Sequence, residues 1–100
     1  MSIIGLGGIG ATRRKTDQIY FKSYSSAIAY VLEKTNERGY EYDDDEVFRT
    51  ISLGNRKPQE GVTNRFTISL FKNNKEQKKA LHIQVYGMRS GTYELNYYIS

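Results

Sequence analysis

The sequence predicts an α+β domain: one helix packed on a four-stranded antiparallel meander sheet, with a glycine-rich N-terminal arm. Three observations predict it. Residues 81–99 read LHIQVYGMRSGTYELNYYI, two runs of strict apolar–polar alternation around a glycine-bounded turn, which is the pattern of a β-hairpin. Tyr24, Ala27, Ile28, Val31, Leu32 and Thr35 recur at helical spacing and form one face of an amphipathic helix. Two further alternating runs, residues 47–53 and 63–71, supply the remaining strands. A chain of 100 residues is the size of one domain, read here as an arm over residues 1–18 and a folded unit over residues 19–100.

The glycine-rich arm, MSIIGLGGIG followed by Arg13, Arg14 and Lys15, is too short to span a bilayer, which takes about 20 apolar residues. Its basic residues follow the apolar run, the reverse of a signal peptide, and Ser2 excludes the myristoylation pattern. Gly5, Gly7 and Gly10 match a dinucleotide fingerprint, but no amphipathic helix follows to hold a pyrophosphate, so no nucleotide site is expected. Ile3, Ile4, Leu6 and Ile9 are unusual in a solvated tail, and they predict an arm that docks.

Residues 18–21 (QIYF) are a short strand or a lead-in. Ser23 suits the N-cap of the helix, Arg38 its last turn and Gly39 the left-handed position after it. The acidic run Asp43-Asp44-Asp45-Glu46 lacks the spacing of a calcium loop and reads as a solvated connection into the strand at residues 47–53. In that strand Val47, Ile51 and Leu53 share a face, and Arg49 is the exception. A loop containing Pro58 leads to the next strand, with Phe66, Ile68 and Leu70 inward. The turn Asn73-Asn74 leads into the terminal hairpin. The core set is completed by Leu81, Ile83, Val85, Leu95 and Ile99, all facing the helix.

By the same parity the opposite sheet face carries Phe48, Phe71, His82, Gln84, Tyr86, Asn96 and Tyr98 among serines and threonines, with Arg65 and Glu94 as its formal charges. A face so poor in lysine and glutamate can be covered without burying many charges, so it is the predicted interaction face. Three occupants fit: a second copy, a different protein, or single-stranded nucleic acid. The last would stack bases on the aromatics, with Arg56, Lys57, Lys72, Lys75, Lys78, Lys79 and Arg89 as a basic rim. Residues 49–100 hold nine basic and three acidic residues, which permits an acidic partner. No helix-turn-helix, zinc or RNP-type motif supports nucleic acid.

The chain has no cysteine and one histidine, so it offers no disulfide framework and no thiolate metal site. No nucleophile elbow, H-E-x-x-H or phosphate loop occurs. No catalytic, cofactor or metal residues are expected, and the chain reads as a non-enzyme.

Four stretches carry a resemblance: Asp43-Asp44-Asp45-Glu46-Val47-Phe48; Arg56-Lys57-Pro58 with Gly61; Gln77-Lys78-Lys79-Ala80-Leu81-His82-Ile83-Gln84-Val85-Tyr86-Gly87; and Tyr93-Glu94-Leu95-Asn96-Tyr97-Tyr98-Ile99. Across about residues 23–100 the chain resembles small proteins of tailed bacteriophages. The resemblance carries no activity over. It implies a setting, the infected host cytoplasm or the virion, and with the docking arm it favours a self-associating structural or assembly module that binds itself or other virion proteins. Single-stranded nucleic-acid binding is the alternative.

Overall fold

The structure, a computed structural model, describes residues 19–54 and 56–100. The arm expected over residues 1–18, with Ile3, Ile4, Leu6 and Ile9, lies outside the described residues. The chain runs through β1 (Ile19–Phe21), α1 (Tyr24–Glu37), α2 (Asp44–Val47), a π-helical turn (Phe48–Ser52), β2 (Thr63–Lys72), β3 (Lys75–Gly87) and β4 (Tyr93–Ile99). The strands make one antiparallel sheet in the order β1-β4-β3-β2. Strands β2, β3 and β4 form the meander. The fourth strand is β1, which sets Ile19, Tyr20 and Phe21 against Leu95, Glu94 and Tyr93.

The fold class is therefore the expected one, with one strand exchanged. Residues 47–53 are not a strand. Asp43 is an N-cap whose carboxylate accepts from the Asp45 N–H at 3.0 Å, and Asp44, Asp45 and Glu46 fill the first turn, where negative charge complements the helix dipole. Val47 and Ile51 are buried four residues apart on the inward side, while Leu53 is exposed. The Arg56 guanidinium closes the other end, with Nε donating to the Leu53 carbonyl at 2.9 Å and Nη2 to the Arg49 carbonyl at 3.3 Å. The acidic run is the start of a helix rather than a solvated loop.

Helix α1 has its cap at Ser23, whose hydroxyl accepts from the Ser26 N–H at 3.1 Å. Gly39 follows with φ of 89°, a conformation that a side chain would strain. Ala27, Ile28, Val31 and Thr35 are buried on the helix's sheet-facing side. The Thr35 hydroxyl donates to the Val31 carbonyl at 2.8 Å, which satisfies the polar atom that burial strands there. Beneath the helix lie Phe66, Ile68 and Leu70 of β2, Leu81, Ile83 and Val85 of β3, and Leu95 of β4, all buried. Each such side chain contributes about 1.5–3 kcal/mol. Half-buried aromatics close the β1–β4 side, with Phe21 against Tyr30 at 5.2 Å and Tyr30 against Tyr97 at 6.3 Å between ring centroids.

Two features hold the meander in register. Lys72 pairs with Lys75 across Asn73 and Asn74, whose φ values of 53° and 62° give the twist that a two-residue hairpin turn requires. At the other end of β3, the loop before β2 lies against Gly87. The Gly61 N–H donates to the Gly87 carbonyl at 2.8 Å, and the Gly87 N–H to the Val62 carbonyl at 3.0 Å. A side chain at Gly87 would collide with the Gln59 backbone. Gly87→Ala should therefore cost about 1–3 kcal/mol, read from urea unfolding. A loss below a few tenths would show that the loop moves aside freely.

Tyr24 ties α1 to the π-helical turn, its hydroxyl donating to the Ile51 carbonyl at 2.8 Å. Burial pushes its pKa up to about 12 from the usual 10.0, against the opposing pull of the Arg56 guanidinium. The folded state holds this proton more tightly than the unfolded chain. The stability it contributes is full below pH 10 and is lost as pH rises through about 12. Tyr24→Phe should lower stability at neutral pH by about 0.5–1.5 kcal/mol and flatten the alkaline limb of the unfolding profile. An unchanged limb would remove Tyr24 from that role.

Candidate interaction surface

The sheet face opposite α1 is built in rows set by the strand register. One row runs Tyr20, Glu94, Tyr86, Thr63. The next runs Asn96, Gln84, Arg65, and the third Tyr98, His82, Thr67. The side chains reach this face because Leu81, Ile83, Val85 and Leu95 are drawn into the core, and neighbours in a strand point oppositely. None of these row residues is buried, and Arg65, Thr67, Tyr86 and Tyr98 are exposed.

In the third row the rings of His82 and Tyr98 stack, with centroids 4.7 Å apart and planes 20° apart. The His82 Nε2 also lies 3.4 Å from the Ser100 carbonyl. The first two rows enclose a shallow depression lined by Thr63, Gln84, Tyr86, Glu94 and Asn96. Tyr86 and Tyr98 are exposed by 36% and 49%, enough ring area for a partner to pack on. The arrangement offers aromatic faces, amides and hydroxyls, with Arg65 and Glu94 as its formal charges.

Five of the seven expected face residues thus come together: His82, Gln84, Tyr86, Asn96 and Tyr98. Phe48 does not, because it sits on the π-helical turn, where it is 56% exposed. Phe71 lies past the register shift in β2. There its backbone pairs with Glu41, and its ring lines a separate open cavity with Asn36, Tyr42 and Asn74. Sequence reasoning missed Tyr20, which joins the face only because β1 pairs with β4. No signal in the QIYF stretch reveals that pairing.

The basic residues do not form one rim. Lys72, Lys75, Lys78 and Lys79 gather at the β2–β3 hairpin end, where the Lys72 ammonium stands 4.5 Å over the Tyr40 ring. Arg56 is committed to the helical turn, and Lys57 follows it. Arg89 lies in the β3–β4 turn, 3.5 Å from Glu60, at the far end of a 13-residue strand from Lys75, a span of about 40 Å at 3.3 Å per residue. Among the described residues, no group of three His, Asp or Glu side chains is placed to hold a metal ion, and no helix is long and apolar enough to cross a membrane.

No protein-family model, curated protein or solved structure matches the chain. Because Tyr98 packs on the outer side of the sheet, removing its ring should leave the fold standing. Tyr98→Ala is expected to cost about 0.5–1.5 kcal/mol, the worth of an aromatic pair, measured by thermal unfolding. A larger loss would place Tyr98 in the fold's own packing.

Proposed function

We propose that the protein is a non-enzymatic assembly module that self-associates through the sheet face carrying His82, Gln84, Tyr86, Asn96 and Tyr98, with the N-terminal arm adding a second contact. One observation carries the reading. Among the described residues, a sheet face of aromatic, amide and hydroxyl side chains keeps its members exposed or half-buried, with few charges to desolvate. Tyrosine suits such a role, since its ring supplies apolar contact area and its hydroxyl a hydrogen bond. A second copy is the favoured occupant because most oligomers are symmetric and a two-fold axis lets one face serve both partners. The resemblance to tailed-phage proteins fits this reading. It points to a virion or the infected host cytoplasm as the setting, with other virion proteins as further partners.

Single-stranded nucleic acid is the competing reading. The scattered basic residues argue against it, because affinity for a strand comes largely from phosphate contacts. Lys78 and Lys79 lie at the hairpin end, and Arg89 at the opposite end of β3.

Light scattering at micromolar concentration should give a multiple of 11.5 kDa. Tyr86→Ala and Tyr98→Ala should each lower that mass, and deleting residues 1–10 should weaken association without unfolding the domain. A constant mass of 11.5 kDa would overturn the self-association reading. Submicromolar, salt-sensitive binding to single strands that the tyrosine changes abolish would replace it with nucleic-acid binding.

A further inference from the structure

We propose that the outer edge of β2 is a strand-addition site for an acidic, extended segment of a partner protein. The site is built from backbone groups along the edge of the face described above, with which it shares Thr63, Arg65 and Thr67. Ser69 donates its N–H outward to Glu46, while Gly87 donates inward to the Val62 carbonyl. Strand alternation therefore turns the N–H and C=O groups of Thr63, Arg65 and Thr67 away from β3. Among the described residues they have no strand partner, and β2 is the last strand of the sheet.

The rest of that edge is closed. Phe71 exchanges two backbone hydrogen bonds of 2.8 Å with Glu41. The Glu46 carboxylate accepts from the Ser69 N–H at 3.2 Å and from its hydroxyl at 3.3 Å. The open window is thus residues 63–67. The helical segment runs beside it, pinned at one end by Glu46 on Ser69 and at the other by the Asn64 amide, which donates to the Arg56 carbonyl at 2.8 Å. Three exposed large hydrophobics lie on the segments that flank the window: Val62 at 43% just before it, and Phe48 at 56% and Leu53 at 47% at the two ends of the π-helical turn. Leu53 donates its N–H to the Phe48 carbonyl at 2.6 Å, which closes the π-helical turn between them.

An edge that offers hydrogen-bond groups beside apolar side chains suits an incoming strand. Its main chain pairs and its alternate residues pack. Charge selects which strand. Arg65 lies within the window and Arg56 is held beside it through Asn64, while the Glu46 carboxylate bounds only the Ser69 end and Glu60 pairs with Arg89. A second copy's β2 paired antiparallel over residues 63–67 would set Arg65 directly opposite Arg65, which is unfavourable. An acidic residue at that place is favoured instead.

The test uses the full chain and two labelled eight-residue peptides, one alternating valine with glutamate and the other valine with lysine. Fluorescence anisotropy should show the glutamate peptide binding at least roughly tenfold tighter, and hydrogen exchange should slow at Arg65 and Thr67. Thr67→Pro deletes an outward N–H and leaves the inner ladder intact, so it should weaken binding by a similar factor. Arg65→Glu should reverse the preference between the peptides. Equal binding, no binding, or indifference of a folded Thr67→Pro variant would overturn the proposal. If Thr67→Pro fails to fold, an Arg65→Glu variant that still prefers the glutamate peptide would overturn it. A fall in the mass of the free protein on Thr67→Pro would assign the edge to a second copy and also overturn it.

Discussion

The parity of β3 is the constraint on which the rest of the molecule depends. It is the one strand paired for most of its length on both sides. Leu81, Ile83 and Val85 are fully buried against α1, and His82, Gln84 and Tyr86 stand on the other face. A slip of one residue would exchange the two sets. It would bury an imidazole and an amide without partners, at about 1–3 kcal/mol for each polar group. Both ends of the strand are fixed against that slip. Asn73 and Asn74 hold one, and the loop seated on Gly87 holds the other. One helix and one short helical segment supply a single covering layer among the described residues. Once the buried face is chosen, the opposite face is left without such a layer among the described residues.

The sequence was legible wherever one period dominated. The run from Leu81 to Val85 alternates strictly between apolar and polar residues, and so do the inward residues of β2. Face membership for His82, Gln84, Tyr86, Asn96 and Tyr98 followed directly from that alternation. The helix was legible from its spacing and its Ser23 and Gly39 ends. Residues 47–53 were not, because Val-Phe-Arg-Thr-Ile-Ser-Leu satisfies two periods at once. Its β-branched and aromatic content favours a strand, while Val47 and Ile51 are four apart, as on a helix. Two signs pointed to the helix. Arg49 broke the strand pattern, and the acids of residues 43–46 suited an N-cap followed by a first turn. The strand that replaced it, β1, spans Ile19–Phe21. Three residues are too few for a period to register, and their conformation is set by pairing with β4.

Charge was legible as a count and illegible as a distribution. The basic excess of residues 49–100 suggested a rim, yet three of its members are spent on separate tasks. Arg56 satisfies carbonyls at the end of a helical segment, Lys72 lies over Tyr40, and Arg89 faces Glu60. The acidic run has a similar history. Glu46 substitutes a carboxylate for the strand that Ser69 lacks, which only the sheet order explains, because β2 must be an edge before its N–H groups need partners.

The two surfaces are joined by geometry even though they use different chemistry. Thr63, Arg65 and Thr67 present their side chains to the bare face and their backbone groups to the open edge. A strand added at that edge would extend each row of the face by one residue, widening it by about 4.8 Å, the spacing of neighbouring strands. It would also place a new side chain beside Arg65, which carries one of the face's formal charges, and an acidic neighbour there would neutralise it. An occupied edge would therefore leave the face broader and less charged than the free chain offers. Both changes favour packing against another surface, since they add contact area and lower the cost of desolvation. Binding at the edge would in this way strengthen the proposed association through the face without touching His82, Tyr86 or Tyr98.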